Sequence, residues 1–472
     1  MLRLPLLLST LVALPVHAFC GFYVAGGGAS LFNDATQVVL MREGTRTVLS
    51  MQNSYRGPPE DFALVVPVPV VLQKENVKTL PKEIFARVDQ LSAPRLVEYW
   101  EVDPCYVEPP MVAYSAAAVS EGGSVRYRKG GGVGELGVKI EAQFTVGEYE
   151  ILVLSAKDAL GLDTWLKLNK YRIPEGAEAV FRPYIQQGMK FFVAKVDVKK
   201  VTFGADGHAQ LSPLRFHYDS EKFELPIRLG LINAKDKQDL IVNILSKNQR
   251  YEVANYPNVT IPTNIDLAPS AKSEFPYFYV SLFDRTLKAH PNAVVTEYAW
   301  QASSCDPCPT SPLAPQDFET LGADAVPSKG QVADPYNASQ AYVLTRLHAR
   351  YDKTSVGEDL VFKAAGPIVG GREFLSEGKS LEQGFRPDSY NNFQARYAIR
   401  YPWKGAVACK SPVYGRWGGP PSGTPSSSPQ AARETAFVPR DPAKVDALAE
   451  SPIAELQVKG VKARAGEPLR KK

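Results

Sequence analysis

The stretch "LGVKIEAQFTVGEYEILVLSA" (residues 136–156) decides how the fold is read. Val138, Ile140, Ala142, Phe144 and Val146 alternate with Lys139, Glu141, Gln143 and Thr145, the period of a strand with one buried face. The pattern turns at Val146-Gly147 and resumes in "YEILVLSA", so two strands meet at a tight turn. A helix is predicted next in "AKDALGLDTWLKLNKY", with Leu162, Trp165 and Leu166 on one face. A second helix, "GAEAVFRPYIQQG", leads into the strand "KFFVAKVDV". Further strands are predicted at "LRFHYD", "PIRLGLIN" and "DLIVNILS".

Toward the amino end, "ATQVVLMREGTRTVLSMQN" predicts two strands around a Glu-Gly turn. "DFALVVPVPVVL" is a strongly apolar strand, but Pro67 and Pro69 cannot donate ladder hydrogen bonds, which predicts a sheet edge or a bulge. "LPKEIFARVDQL" places Ile84, Phe85, Val88 and Leu91 at helical spacing, and "PRLVEYWEVDPC" runs extended to an Asp-Pro turn. Toward the carboxy end, strands are predicted at "YFYVSLF", "AVVTEYAW" and "AYVLTRLHARYD", with Pro-, Asn- and Asp-rich loops between them. After Trp417 the chain has too little apolar surface to offset its ordering entropy, so a tail is predicted, with one short helix near "KVDALAE".

The fold class is therefore α+β: β-rich, mostly antiparallel sheets, a few helices and a disordered carboxy-terminal tail. Along the chain this gives a signal peptide (1–18), an amino-terminal β-rich region with one helix (19–107) and a flexible Gly/Ala-rich loop (108–134). A central α+β region (135–250), a carboxy-terminal β-rich region with a Pro-rich loop (251–417) and the tail (418–472) complete the chain. No internal repeat of fixed period interrupts this order.

The start "MLRLPLLLSTLVALPVHAFCGFYV" has Arg3, an apolar run from Leu4 to Val16 and "VHA" as a cleavage site after Ala18. A spanning helix needs about 20 apolar residues, and His17 interrupts the run before that. Lipidation of Cys20 would want a small residue before it, where Phe19 stands. Without Arg3 the chain carries 53 basic residues against 50 acidic ones, mixed rather than clustered along its length, which argues against a nucleic-acid partner and against an anionic membrane. No later segment reaches membrane-spanning length. The expected location is extracytoplasmic, periplasmic or secreted, where cysteines pair. Five of them are candidates: Cys20, Cys105, Cys305, Cys308 and Cys409. The number is odd and the connectivity open.

The chemical motifs are few. Gly132, Gly134 and Gly137 match GxGxxG, but a strand pattern comes next where a dinucleotide site needs a helix, so no cofactor is expected. His208, His217, His290 and His348 show no metal-ligand spacing, and His217 and His348 lie in strands, each facing one side of a sheet. In "GGREF" (370–374) two glycines allow a tight turn or close backbone approach, a reading that takes precedence over an anion held by Arg372. Cys305 and Cys308 form a CxxC after an apolar strand. Pro307, Pro309, Pro312 and Pro315 crowd the loop, and no helical period emerges before "DFETLG". The helix that would lower the pKa of Cys305 is missing. The pair is read as structural, either bonded to each other or each bonded elsewhere. A redox pair or half of a zinc site is the lesser reading.

Seven phrases together resemble domain-of-unknown-function family 2330, a family of secreted bacterial proteins. They are "FCGFYV" (19–24), "NSYRGPPEDFALVVPVPV" (53–70), "APRLVEYWEVDPC" (93–105), "FTVGEYEILVLSA" (144–156), "LSPLRFHYD" (211–219), "CDPCP" (305–309) and "LTRLHARY" (344–351). The resemblance runs from the signal to about Trp417. It implies a signal-bearing extracytoplasmic protein and assigns no activity. Some members resemble membrane-anchored proteins with a carboxy-terminal span, a pattern from which this chain departs. The expected function is a non-enzymatic envelope or binding component with a protein or envelope ligand. The alternative is a thiol-disulfide protein using Cys305 and Cys308, and a hydrolase without a known motif is a third class.

Overall fold

The structure is a computed structural model. It describes residues 22–24, 36–52, 63–106, 137–169, 171, 173, 176–203, 209–233, 237–326, 341–352, 354–373, 375–376, 380–421, 429–431 and 438–461. The signal segment, Cys20, His208 and the loop expected at 108–134 lie outside these residues.

The longer elements begin with β1 (Phe22–Val24), β2 (Thr36–Glu43), β3 (Arg46–Met51), β4 (Ala63–Val68), β5 (Val77–Thr79), α1 (Glu83–Ser92) and β6 (Arg95–Glu101). Then come β7 (Val138–Val146), β8 (Tyr149–Ala156), α2 (Ala159–Leu168), α3 (Ala177–Gln186), β9 (Lys190–Val196), β10 (Leu214–Asp219) and β11 (Gln238–Lys247). The last are β12 (Ile265–Leu267), α4 (Ala271–Ala289), β13 (Val294–Gln301), β14 (Tyr342–Tyr351), β15 (Arg396–Tyr401) and α5 (Ala443–Leu448).

The predicted hairpin is β7–β8, with Gly147 at φ +55° closing the turn. It extends an antiparallel five-stranded sheet in the order β1-β4-β9-β8-β7. Among the described residues β1 pairs β4 along Ala63–Val65, and at Pro67 only β9 lies beside the strand. That local edge is what the proline requires. A larger sheet runs β13-β14-β11-β2-β3-β10-β5 and continues beyond β13 through short strands. Its pairings are antiparallel except β11 with β2 and two short strands near its edge. A third sheet pairs β12, β15 and β6 in parallel. The fold is a β-rich α+β architecture.

Alternation places the core in layers. Val38 and Leu40 of β2 face the five-stranded sheet with Leu64, Ile151 and Phe192, while Val39 and Met41 face α1 with Phe85 and Val88. The outer side of the five-stranded sheet is covered by Leu162 and Leu166 of α2 and Phe181 of α3. Each clustered aliphatic or aromatic side chain contributes about 1.5–3 kcal/mol by leaving water.

Three expectations are corrected. "YFYVSLF" lies inside the helix α4, because Phe275, Phe278, Tyr279, Leu282 and Phe283 recur at helical spacing and are all buried. "PIRLGLIN" is a turn and a short helix, Gly230–Asn233. Within the tail expected beyond Trp417, residues 438–461 are folded around the expected short helix: Val445 and Leu448 of α5, with Ile453, Leu456 and Val458, pack into the cluster that holds Phe275 and Phe278. Five well-spaced apolar residues are enough to dock a segment whose overall composition is polar.

Candidate functional site

Two places gather chemistry. The first is a row of charges on the face of the large sheet that meets α1 and α4. In β14, Arg346, His348 and Arg350 are spaced two apart, so a strand's alternation sends all three to that face. β11 adds Asp239 and β13 adds Glu297, at which the β13–β14 register slips by one residue. Glu297 is fully buried and accepts from Arg346 Nε at 2.6 Å and from the Tyr279 hydroxyl of α4, with His348 Nδ1 at 2.6 Å. Arg346 also donates to Asp89 of α1 at 2.7 Å. His348 Nε2 lies 3.4 Å from Asp239 Oδ1, an ion-pair distance without hydrogen-bond alignment, and Phe283 stacks on the imidazole at 3.8 Å. Arg350 and Arg440 both bind Asp239 and Asp284.

Four carboxylates (Asp89, Asp239, Asp284 and Glu297) thus meet three guanidinium groups, and an imidazolium at His348 makes the charges equal. Burial acts to lower the pKa of His348, but Glu297 and Asp239 outweigh it and the value is raised. Burial acts to raise Glu297; His348 and Arg346 overcome it and hold the carboxyl at about 2. Asp239, where Arg350 and His348 likewise overcome burial, lies well below the usual carboxylate range. Glu297, His348, Arg346 and Asp239 are buried where the sheet meets α1 and α4, with Asp284 and Arg440 partly exposed at the edge, so the charges join helices to sheet.

The second place is the CxxC. Cys305 and Cys308 are bonded to each other in the loop after β13. Cys308 is exposed, and Cys305 packs against the α1 cluster. The next short helix begins only at Pro315, so no helix starts at the pair. The loop is held from beneath by three side chains. Arg95 Nη1 donates to the Pro307 carbonyl at 3.0 Å, Gln394 to that of Asp306 at 2.7 Å, and Gln90 to that of Pro309 at 3.2 Å. Arg95 is completely buried; its other contacts are the Leu91 carbonyl and the Tyr298 ring, with no carboxylate among the described residues. Burial lowers its pKa, Tyr298 opposing.

The remaining candidates separate. Cys105 and Cys409 form a second disulfide across 304 positions. In the GGR turn, a Cβ on Gly370 would stand 2.3 Å from the Gly384 carbonyl, and Gly371, at φ +67°, would bring one to 1.9 Å from that of Gln394. Arg372 there binds Glu382 at 2.7 Å and 2.9 Å and the Tyr390 hydroxyl. Its guanidinium serves the turn. Gly137 leads straight into β7, so a strand continues from the GxGxxG. His217 faces Asn76 at 3.2 Å, and His290 caps α4. Among the described residues no group of three or more His, Cys, Asp and Glu is arranged to hold a metal ion.

Sequence reading missed Glu297, Asp239, Asp89 and Arg95. The available signal was the alternation Arg346-His348-Arg350, three basic groups on one face of a strand whose other residues are mostly apolar.

Fold and sites define a disulfide-bonded, β-rich α+β protein whose buried charges are committed to holding helices on a sheet. A family model described as an uncharacterized protein conserved in bacteria (DUF2330) matches residues 14–363. The chain belongs to that family, and the match ends short of Trp417. No curated protein and no solved structure matches the chain. Among the described residues no helix is long and apolar enough to cross a membrane.

Proposed function

We propose that the protein is a non-enzymatic binding component of the bacterial envelope, working outside the cytoplasm. The observation that carries this reading is the Cys105–Cys409 bond. Such a link persists in an oxidising compartment and is reduced in the cytosol. It ties the turn after β6 to the surface loop after β15, where it steadies exposed backbone. Binding is favoured over turnover because the strongest polar constellation, Glu297 with His348 and Asp239, is shut away from any substrate. Fractionation followed by mass spectrometry tests the location: the exported protein should begin at Phe19 with Cys105 and Cys409 resistant to alkylation. An intact Met1, or free thiols at both positions, would overturn it.

A second reading, a thiol-disulfide protein, has its own observation. Cys308 is exposed, and a buried guanidinium with no carboxylate partner among the described residues lies against the carbonyl between the two cysteines. Titration in glutathione buffers separates the readings. A structural bond should sit below about −300 mV, whereas exchange catalysts lie between about −120 and −270 mV.

A further inference from the structure

The chain after β15 leaves the third sheet as a loop, Pro402–Gly415, and returns in the short strand Trp417–Gly418, antiparallel to β6. Its neck is closed by one buried carboxylate: Glu101 accepts from the Trp403 amide at 2.9 Å through one oxygen and from the Gly415 amide at 2.7 Å through the other. Halfway along, Cys409 is bonded to Cys105. On the return, the Val413 amide donates to the Pro104 carbonyl at 2.9 Å, and Arg416 donates to that of Asp103 at 3.1 Å. The backbone is firmly held, yet every side-chain position of 402–415 except Trp403 and Cys409 is exposed.

None of these side chains is buried in a core. The loop and its anchor carry four large apolar side chains in the open: Tyr106 at 47%, Val407 at 40%, Val413 at 54% and Tyr414 at 55% exposure. From Pro402 to Pro420 the charged residues are Lys404, Lys410 and Arg416, with no Asp or Glu. Tyrosines and small aliphatics beside lysines are the composition of a surface that rests in a lipid headgroup layer. A stable protein partner would ask for about 20–30 residues on this side. One projecting loop supplies fewer, and a bilayer accepts a single loop.

We infer that the disulfide-pinned loop 402–415 docks the protein on an anionic lipid surface, seating Tyr106, Val413 and Tyr414 among the headgroups with Lys404 and Lys410 against their phosphates. This names the ligand for the envelope-binding reading and rests on it. The test is co-sedimentation of the oxidised protein with vesicles of phosphatidylcholine alone and of phosphatidylcholine mixed equally with phosphatidylglycerol. The mixed vesicles should bind it, more weakly as salt rises, and the neutral ones should not. Lys404→Ala with Lys410→Ala should weaken partitioning about thirtyfold, and Val413→Ser with Tyr414→Ser about tenfold. Both pairs should keep the wild-type denaturation midpoint, since the altered side chains are exposed. Failure to bind the mixed vesicles, or equal binding by the loop variants, overturns the inference. Loop-dependent retention on immobilised polyglutamate without vesicle binding also overturns it, assigning the loop to an acidic protein. An exported protein beginning at Phe19 would keep the envelope reading standing in each of these cases.

Discussion

Replacing Glu297 by Gln removes one charge from the buried row while keeping the shape of the side chain. In the wild type this carboxylate accepts from Arg346 at 2.6 Å and from Tyr279, and holds His348 at 2.6 Å. Breaking a buried pair from one side generally costs about 3–5 kcal/mol. Here part of the cost is relieved. Arg346 keeps Asp89, and three carboxylates are left for three guanidinium groups once His348 sheds its proton. The expected loss is therefore near the lower limit, about 3 kcal/mol.

Its pH dependence has a definite sign. His348 has a folded pKa raised above its unfolded value of about 6.5. Its contribution is complete below that unfolded value and is lost as pH rises through the folded one. Glu297 is depressed, to about 2, so its contribution is complete above its unfolded value of about 4.3 and lost only as pH falls toward the folded one. Between about pH 6 and pH 9 the histidine alone changes, and the gap between wild type and Glu297→Gln should narrow as pH rises. Urea unfolding across that range measures the gap. His348→Gln and the double variant complete a cycle, whose coupling should be about 1–3 kcal/mol near pH 6. A gap under about 1 kcal/mol, or one unchanged from pH 6 to pH 9, would refute the assignment of His348 as the compensating cation.

Cys105→Ser with Cys409→Ser should cost up to about 5 kcal/mol in the same unfolding assay, because the bond closes 304 positions; Cys305→Ser with Cys308→Ser, closing three, should cost about 2 kcal/mol or less. The reverse order would mean that the short bond carries native contacts beyond chain entropy. Gly371→Ala should give insoluble or poorly folded protein, since its Cβ meets the Gln394 carbonyl, whereas Gly44→Ala, with nothing within 4 Å, should cost only the strain of its φ of +57°, about 1 kcal/mol. Equal yields and melting temperatures for the two would count against the close approach. Arg95→Met should loosen the CxxC loop, read as faster reduction of Cys305–Cys308 by dithiothreitol with Cys105–Cys409 unchanged.

Local signals were the legible ones. Alternation in 138–146 and helical spacing in 83–92 are complete within their own segments, so β7, β8 and α1 fall where the residues put them. The helix α4 shows the opposite case. Its aromatic and β-branched residues favour strands, and Pro276 stands within it, yet the spacing from Ala271 through Phe275, Phe278, Tyr279, Leu282 and Phe283 is helical. Composition and period disagreed there, and burial against the sheet decided for the period. Pairing of charges is a further step removed. Glu297 meets Arg346 across 49 positions, and Arg346 meets Asp89 across 257. No window of sequence contains either pair, only the half of the pattern that β14 displays.

The same distinction bears on where binding belongs in this molecule. A side chain that serves the fold has its partners supplied by the chain, as His348 has Glu297 and Phe283. The loop 402–415 has backbone partners in Glu101 and Cys105, and its side chains other than Trp403 and Cys409 are exposed. Exposed tyrosine and valine gain nothing from a disulfide that orders them unless a further surface completes the contact. Ordering them in advance lowers the entropy cost of that contact. The loop, with its lysines of one sign, is where the proposed docking would place that surface, whereas the CxxC loop is already held by Arg95, Gln394 and Gln90.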